Sequence, residues 1–406
     1  MRIGYAEREI TPDPGNALAG FAMRANAPSS GVADPIKLKI VIFEDHGGTR
    51  ACIASVDLLN WPRELVQRHR DLLSEALGVV PAAVLLTATH NHSGPQPNRS
   101  CASSLGAPTP GFTEAFERAL QDVAARAHRR MALATAERAV ADHFLGEQRR
   151  PAQSGHRGPD PVDVRLTTIV FRGSQGHPLL ALLHYACHPV VSAEQQLSAD
   201  FPGFACTRLE QKLGAPAVFL QGFAGDINPG RSTTQGVDEA RRVGQELADA
   251  AFHSLHGRKR VALDRVSCAM RQVDMPMIYD LETLSTSPGL TAEWKRALGQ
   301  QGYWESTSLT ATCVWLSADL GFIGVNGELS SAYALRLREE HQDAVLAIGY
   351  TGGMFGYVPT AAQISEGGYE PVESAFYYGR PGRVAPESDV VVERLIRGAI
   401  EEAKNA

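Results

Sequence analysis

The feature that most restricts how this chain can fold is the alternation of short apolar, β-branched runs with longer amphipathic stretches. The runs Lys37–Phe43, Ala51–Val56, Ala83–Leu86, Thr167–Phe171, Leu179–His184, Ala217–Leu220, Thr312–Leu316 and Gly321–Val325 have the length and residue types of strands. Between several of them, Arg63–Leu77, Phe112–Ala141, Asp238–Leu255, Leu329–Glu340 and Ser388–Lys404 repeat apolar residues every three or four positions against charged faces, as helices do. This interleaving predicts an α/β protein. The polar stretch Gln148–Asp163 is followed at once by another strand, so it reads as an internal loop and residues 1–406 as a single domain. Gly349–Arg383 gathers glycines and aromatics, with helix resuming only near its end, and long irregular segments of this kind are commonly functional. No internal repeat is visible.

Charge narrows the partners. Lys+Arg 39 against Asp+Glu 45, a net charge of -6, gives no basic field to hold nucleic acid or anionic lipid. No run reaches the roughly 18 apolar residues that a bilayer span requires, and the N-terminus lacks a basic segment followed by an apolar one, so a cytoplasmic location is expected. The six cysteines (Cys52, Cys101, Cys187, Cys206, Cys268, Cys313) never approach C-x-x-C spacing and read as reduced, packed side chains.

The sharpest chemical signal is Thr87-Ala-Thr-His90-Asn-His92-Ser-Gly-Pro95, directly after an apolar strand. Residues two apart on a strand share a face, so His90 and His92 can converge on one point where strand pairing ends. Alone, the pattern fits a metal pair and two loop histidines about equally. His188 adds a third imidazole at another strand end, before Pro189, whereas His184 lies inside the strand and reads as a buried, hydrogen-bonded core residue. Gly225-Asp-Ile-Asn-Pro-Gly230 has the composition of any turn. Glu328 of Asn326-Gly-Glu328 falls between a strand and a helix, where capping alone would explain a carboxylate, yet a metal ligand would also suit the place.

Taken together, these segments resemble neutral, non-lysosomal ceramidases. HNHSGP is similar to that family's HTHSGP, CHP to its second histidine segment, GDINP to GDVSPN, and GELSSAYALRLRE to its GEF turn and Arg-rich helix. GYVPT, with Tyr369 twelve residues after Tyr357, resembles its late tyrosine pair, and the likeness runs in order from Ile3 to Gly382. The resemblance implies a mixed-sheet α/β catalytic domain, with Zn2+ held by His90, His188, Glu328 and Tyr357. It further implies His92 as proton carrier, Tyr369 facing the developing oxyanion, and Arg149, or its neighbour Arg150, near the polar part of the substrate. Two departures stand out. Asn228 occupies the position of the family's catalytic serine, and a catalytic domain alone is expected, with no counterpart after Ser388–Lys404 of the immunoglobulin-like C-terminal domain of those ceramidases.

The expected activity is therefore zinc-dependent hydrolysis of an amide C–N bond in a small or N-acylated substrate, by a zinc-activated water, with Asn228 donating to the oxyanion. The alternatives are opening of a lactone, ester or cyclic amide, acyl transfer or cyclisation, and a pseudoenzyme that only binds a ligand. A further reading takes His90-Asn-His92 as the H-x-H of barrel-type metal amidohydrolases, which strand order would decide. The loops Ser100–Thr113, Ile278–Trp304 and Gly352–Arg383 are expected to shape the pocket, where Trp304, Phe355 and Tyr377 either line an apolar cleft or pack a core.

Overall fold

One succession of elements (strand, strand, strand, helix, strand, helix) builds each of three principal sheets. The structure, a computed structural model, describes residues 1–98, 103–150, 161–279, 307–380 and 382–406. In the first unit the strands are Arg2–Glu9, Lys37–Glu44, Arg50–Val56 and Val84–Ala88, with helices Val66–Leu77 and Phe112–Arg129. In the second they are Thr135–Asp142, Arg165–Arg172, Pro178–Tyr185 and Ala217–Gln221, with helices Asp200–Leu213 and Val237–Ser254. In the third they are Ser267–Asp274, Ser308–Ser317, Leu320–Val325 and Val345–Ile348, with helices Ser331–His341 and Ser388–Asn405.

Within each unit the first three strands pair antiparallel, and the fourth pairs parallel with the third. A parallel pair needs a crossover, which explains why a helix separates the third strand from the fourth every time. The threefold repetition is absent from the sequence because a shared backbone plan requires only period-two hydrophobicity and a crossover of the right length. The expectation of no internal repeat is thus corrected at the level of structure. Since the principal sheets are open and mixed, the barrel reading of His90-Asn-His92 is set aside for the described residues.

The three sheets bury their inner faces in one common core, formed by Ile53 and Leu85 from the first, Leu182 and Leu220 from the second, and Val314 and Ile348 from the third. Each outer face is covered by its own helices. Strands buried on both faces, such as Lys37–Glu44 and Leu320–Val325, read as near-continuous apolar runs, which made them visible in the sequence. Phe43 is the meeting point: its ring lies 5.8 Å from Phe171 of the second sheet and 6.0 Å from Phe322 of the third.

Several boundaries differ from the sequence reading. The helix expected over Phe112–Ala141 stops at Arg129, and Thr135–Asp142 is a strand paired with Arg165–Arg172. Its alternating alanines suit either period, and tertiary pairing decides between them. The helix Asp200–Leu213 escaped notice because Pro202 and Gly203 look like breakers, yet proline in the first turn removes only an N–H that has no helical partner. A short helix, Ala361–Glu366, held by a Thr360–Gln363 capping box, interrupts the segment expected to stay irregular.

Because Phe43 is wholly buried between all three sheets, Phe43→Ala is expected to cost about 3–5 kcal/mol. Urea unfolding monitored by circular dichroism checks this; a loss below about 1 kcal/mol would mean that the sheets pack independently of that ring.

Candidate metal centre

The carboxyl ends of the three parallel strand pairs meet, and the residues just beyond them form the site. His188 stands three residues past Tyr185 and Glu328 three past Val325, while His90 and Tyr350 each stand two past their strands, at Ala88 and Ile348. The ends are stitched in a ring, with Ala88 N–H donating to Tyr350 O at 3.1 Å and Gly349 N–H to Gln221 O at 3.0 Å. Ser55 Oγ closes it by donating to Phe219 O at 3.1 Å.

His90 and Tyr350 occupy equivalent places in their units. Both adopt left-handed backbone conformations, φ 64° and 57°, unusual for residues with a side chain. Their rings stack at 4.1 Å. The sequence argument that His90 and His92 converge through strand alternation is therefore corrected, because pairing stops at Ala88 and a left-handed turn at His90 aims the ring instead. Asn91 holds that turn, donating from Nδ2 to Ser198 O at 2.7 Å and Asp57 O at 3.2 Å.

A ring nitrogen from each of His90, His92 and His188 lies within 4.8 Å of the others, a grouping able to hold a metal ion. His90 Nδ1 sits 2.8 Å from Leu59 O, and His188 Nδ1 sits 3.1 Å from Ile227 O. A carbonyl oxygen only accepts, so each contact places the ring proton on Nδ1 and leaves a lone pair on Nε2. Those two Nε2 atoms lie 3.2 and 3.1 Å from the same carboxylate oxygen, Glu328 Oε2. Burial, and then Arg149, pull His188 down to about 4, so its ring is neutral at ordinary pH. Lone pairs facing a carboxylate oxygen in a buried place repel unless a cation lies among them. The donor set therefore fits a metal, and outer hydrogen bonds of this kind orient imidazole ligands.

Glu328 does not cap the following helix, as its position suggested. It forms a short bridge with Tyr357 in parallel register, and Ser330 is the cap. Tyr378, which sequence reasoning missed, donates its hydroxyl to Glu328 Oε1 and leaves Oε2 to the histidines. The Tyr357 ring lies parallel to that of His188 at 6.5 Å. Burial raises the Tyr357 phenol well above its ordinary value, opposed by the Arg149 guanidinium 5.1 Å over its ring. His92 packs on Phe21 at 5.1 Å, and both its ring nitrogens are buried without partners. Burial, with His90 and His188 beside it, holds His92 well below its usual pKa.

The remaining expected residues surround a cavity of about 500 Å³, lined by Arg149, Arg150, Asn228, Gly367, Gly368, Tyr369 and Glu370. Arg149 lies over both Tyr357 and Tyr369 and donates from Nε to Glu370 Oε1 at 2.8 Å. Arg150 turns away, donating to Glu370 Oε2 at 2.6 Å and Gly367 O at 2.9 Å. Of the two arginines that the sequence left as alternatives, Arg149 is the one over the tyrosines, and both line the cavity. Asn228 Oδ1 is buried with no partner. Gly225 is needed in the same turn because a Cβ there would stand 2.4 Å from Glu328 O. Tyr377 lies 6.1 Å from Tyr369, whereas Phe355 is buried on the Arg380 guanidinium at 4.9 Å. Trp304, Cys101 and residues 151–160 lie outside the described residues.

No protein-family profile matches the chain, and no curated protein matches it by sequence. Solved structures do match its fold. Over 99% of this chain and 75% of the other it superposes on a ceramidase complexed with C2 at TM-score 0.79, with 18% identity. Over 98% of this chain and 73% of the other it superposes on the neutral ceramidase from Pseudomonas aeruginosa at TM-score 0.78, with 17% identity. The fold is therefore the mixed α/β fold of neutral ceramidases, carried as a ceramidase-like domain. No helix among the described residues is long and apolar enough to cross a membrane.

The histidine turn rests on a half-buried carboxyl that the sequence did not single out. Ser198, whose carbonyl holds Asn91, donates its hydroxyl to Asp34 Oδ1, and Ala199 N–H donates to Oδ2 at 3.0 Å. Burial pushes Asp34 up to about 7, against about 3.9 when unfolded. The folded state then holds the extra proton between those values, so the contribution is fully present below about 3.9 and lost as pH rises through about 7. Relative to Asp34→Asn, wild-type stability should accordingly fall between pH 5 and 7.5, measured by urea midpoints; a pH-independent difference would contradict the assignment.

Proposed function

We propose that this chain is a zinc-dependent hydrolase that cleaves an amide C–N bond in a small or N-acylated substrate. The observation that carries the reading is the pair of Nδ1-anchored imidazoles aimed at one buried carboxylate oxygen. His90, His188, Glu328 and Tyr357 would hold the ion, with His92 beside them. A mixed nitrogen and oxygen donor set is that of catalytic sites rather than structural ones, which are usually closed and cysteine-rich. Bound zinc supplies Lewis acidity and brings the pKa of a water to about 7.

The chain's own groups then divide the work. His92, neutral because it is buried, has a lone pair to accept a proton and can pass it to the leaving amine. Asn228 lines the cavity beside the cluster, and its amide is free to donate to a tetrahedral oxyanion, with Tyr369 on the same cavity wall. Arg149, buried and raised well above its ordinary pKa by Tyr357 and Glu370 in spite of burial, keeps a fixed positive charge for the polar part of the substrate. The ceramidases that share this fold motivate the N-acyl amide class. The unpaired thiols Cys52, Cys187, Cys206, Cys268 and Cys313 accord with a reducing compartment such as the cytoplasm.

Asn228 also bears on a second reading. A side chain that cannot act as a nucleophile makes ester or lactone opening and acyl transfer alternatives on the same scaffold.

Near-stoichiometric zinc by plasma emission is expected in the purified protein and should be lost from the His90→Ala/His188→Ala double variant. Asn228→Ala should keep its zinc and lose about 10²–10³-fold in kcat on the best amide of a panel set against esters and lactones. Normal zinc and turnover in the double variant would overturn the assignment, and exclusive turnover of esters or lactones would select the second reading.

A further inference from the structure

Glu328 presents its two carboxylate oxygens to different partners. Oε2 faces the Nε2 atoms of His90 and His188, whereas Oε1 accepts from the Tyr378 hydroxyl. The backbone of Glu328 is fixed already, since its N–H donates to Gly356 O at 2.9 Å and its bridge to Tyr357 sets its register. Those bonds leave open the terminal torsion of the side chain, which in glutamate is broad and nearly two-fold. The imidazoles cannot fix it, because a ring nitrogen with a lone pair gives a carboxylate nothing to accept. With the histidine protons on Nδ1, the Tyr378 hydroxyl is the one group among the described residues that donates to this carboxylate.

Tyr378 is itself firmly seated. It is 4% exposed, and its ring lies 6.2 Å from that of Tyr357 at 64°. Its carbonyl accepts from Arg63 Nη1 at 3.4 Å, which ties the aromatic segment to the first unit. A Cβ on Gly356, where φ is 110°, would stand 3.0 Å from Tyr378 Cδ2, so glycine both permits the turn and admits the ring. The same glycine carries the carbonyl that holds Glu328 N–H, and one turn therefore fixes the backbone of the glutamate and the seat of its hydroxyl partner.

We propose that Tyr378 is a positioning residue of the metal centre: by holding Oε1 it sets the plane of the Glu328 carboxylate and aims Oε2 at the place between His90 and His188. This inference rests on the zinc-dependent reading above. The role runs through Glu328 alone, as that of a group one step outside the ligands, and loss of such a group typically lowers metal affinity about 10–100-fold.

The test is the zinc affinity of wild type, Tyr378→Phe, Glu328→Ala and the double variant, each titrated against chelators of graded strength. Tyr378→Phe keeps the ring and removes the donor, and it should weaken zinc binding about 10–100-fold. On the Glu328→Ala background the same change should alter the affinity less than about twofold, because the side chain it positions is gone. A tyrosine that merely supports the fold would weaken both backgrounds alike. Zinc bound as tightly by Tyr378→Phe as by wild type, or an equal loss on both backgrounds, would overturn the inference and leave the hydrolase reading standing. Folded wild type without zinc would overturn both. Should Tyr378→Phe fail to fold, Tyr378→Met, which fills much of the same space without a donor, is held to the same two criteria.

Discussion

The arrangement around the candidate metal centre depends on one buried carboxylate, that of Asp226. Its Oδ2 accepts from Ser330 Oγ at 2.6 Å, Gln363 Nε2 at 2.8 Å and Gln148 Nε2 at 3.2 Å, and its Oδ1 accepts from Ser331 N–H at 2.8 Å. Each of those partners lies within six residues of a candidate functional residue in the chain. Gln148 precedes Arg149, Ser330 lies two past Glu328, Gln363 sits midway between Tyr357 and Tyr369, and Asp226 itself lies two before Asn228. A single acceptor thus fixes four segments of different origin against each other. Hydrogen bonds to a buried charged group are stronger than neutral ones, and their loss would leave several donors unsatisfied at once. Such support from behind is what holds the groups of a site in productive geometry.

The threefold plan explains why the site lies where it does. In open sheets with parallel pairs, side chains that act on ligands gather beyond the carboxyl ends of the strands. Here three such ends come together, and His90, His188 and Glu328 are contributed by three different sheets. A cation held among them would bridge all three units, and its binding free energy would add to the stability of the whole fold by mass action. The inner core around Phe43 and the ligand cluster are then two fastenings of the same three sheets, one apolar and one polar. In the first unit the position matching His188 and Glu328 is Leu59, three residues past Val56, and there it is the backbone carbonyl that serves, by anchoring His90 Nδ1.

How much of this the sequence disclosed follows from the range of each signal. Strands buried on both faces announce themselves as apolar runs, so Lys37–Glu44, Pro178–Tyr185 and Leu320–Val325 were visible. Arg2–Glu9 and Ser267–Asp274, with their charged and polar alternation on an exposed face, were not. Likewise, His90, His92, His188 and Glu328 stand in short motifs beside strand ends, whereas Tyr378 and Tyr350 stand in an aromatic-rich segment with no motif of their own. Their partners, Glu328 and His90, are set by tertiary folding. Arg70 is the extreme case. On a helix wheel it looks like one more exposed cation, and only packing against the 352–353 loop removes it from water. His184 shows the opposite: its place inside a strand was enough to predict a core role, and its Nε2 meets Ala347 O at 2.7 Å.

Asn228 changes what the cavity asks of a ligand. A serine there would offer one hydroxyl, able to attack or to donate. An asparagine offers two N–H donors and a carbonyl acceptor in a fixed plane, and no nucleophile. Its Oδ1, buried with no partner, is a standing demand for a donor that the protein does not meet. A substrate amide N–H would meet that demand, and so would a water held against the cluster, while an ester oxygen would not. Under the proposed reading the replacement therefore moves the reaction away from attack by a side chain, and it also biases the cavity toward ligands with an N–H beside the bond to be cut. The same step weakens the case for lactones, whose ring oxygen would face the amide oxygen with no proton between them.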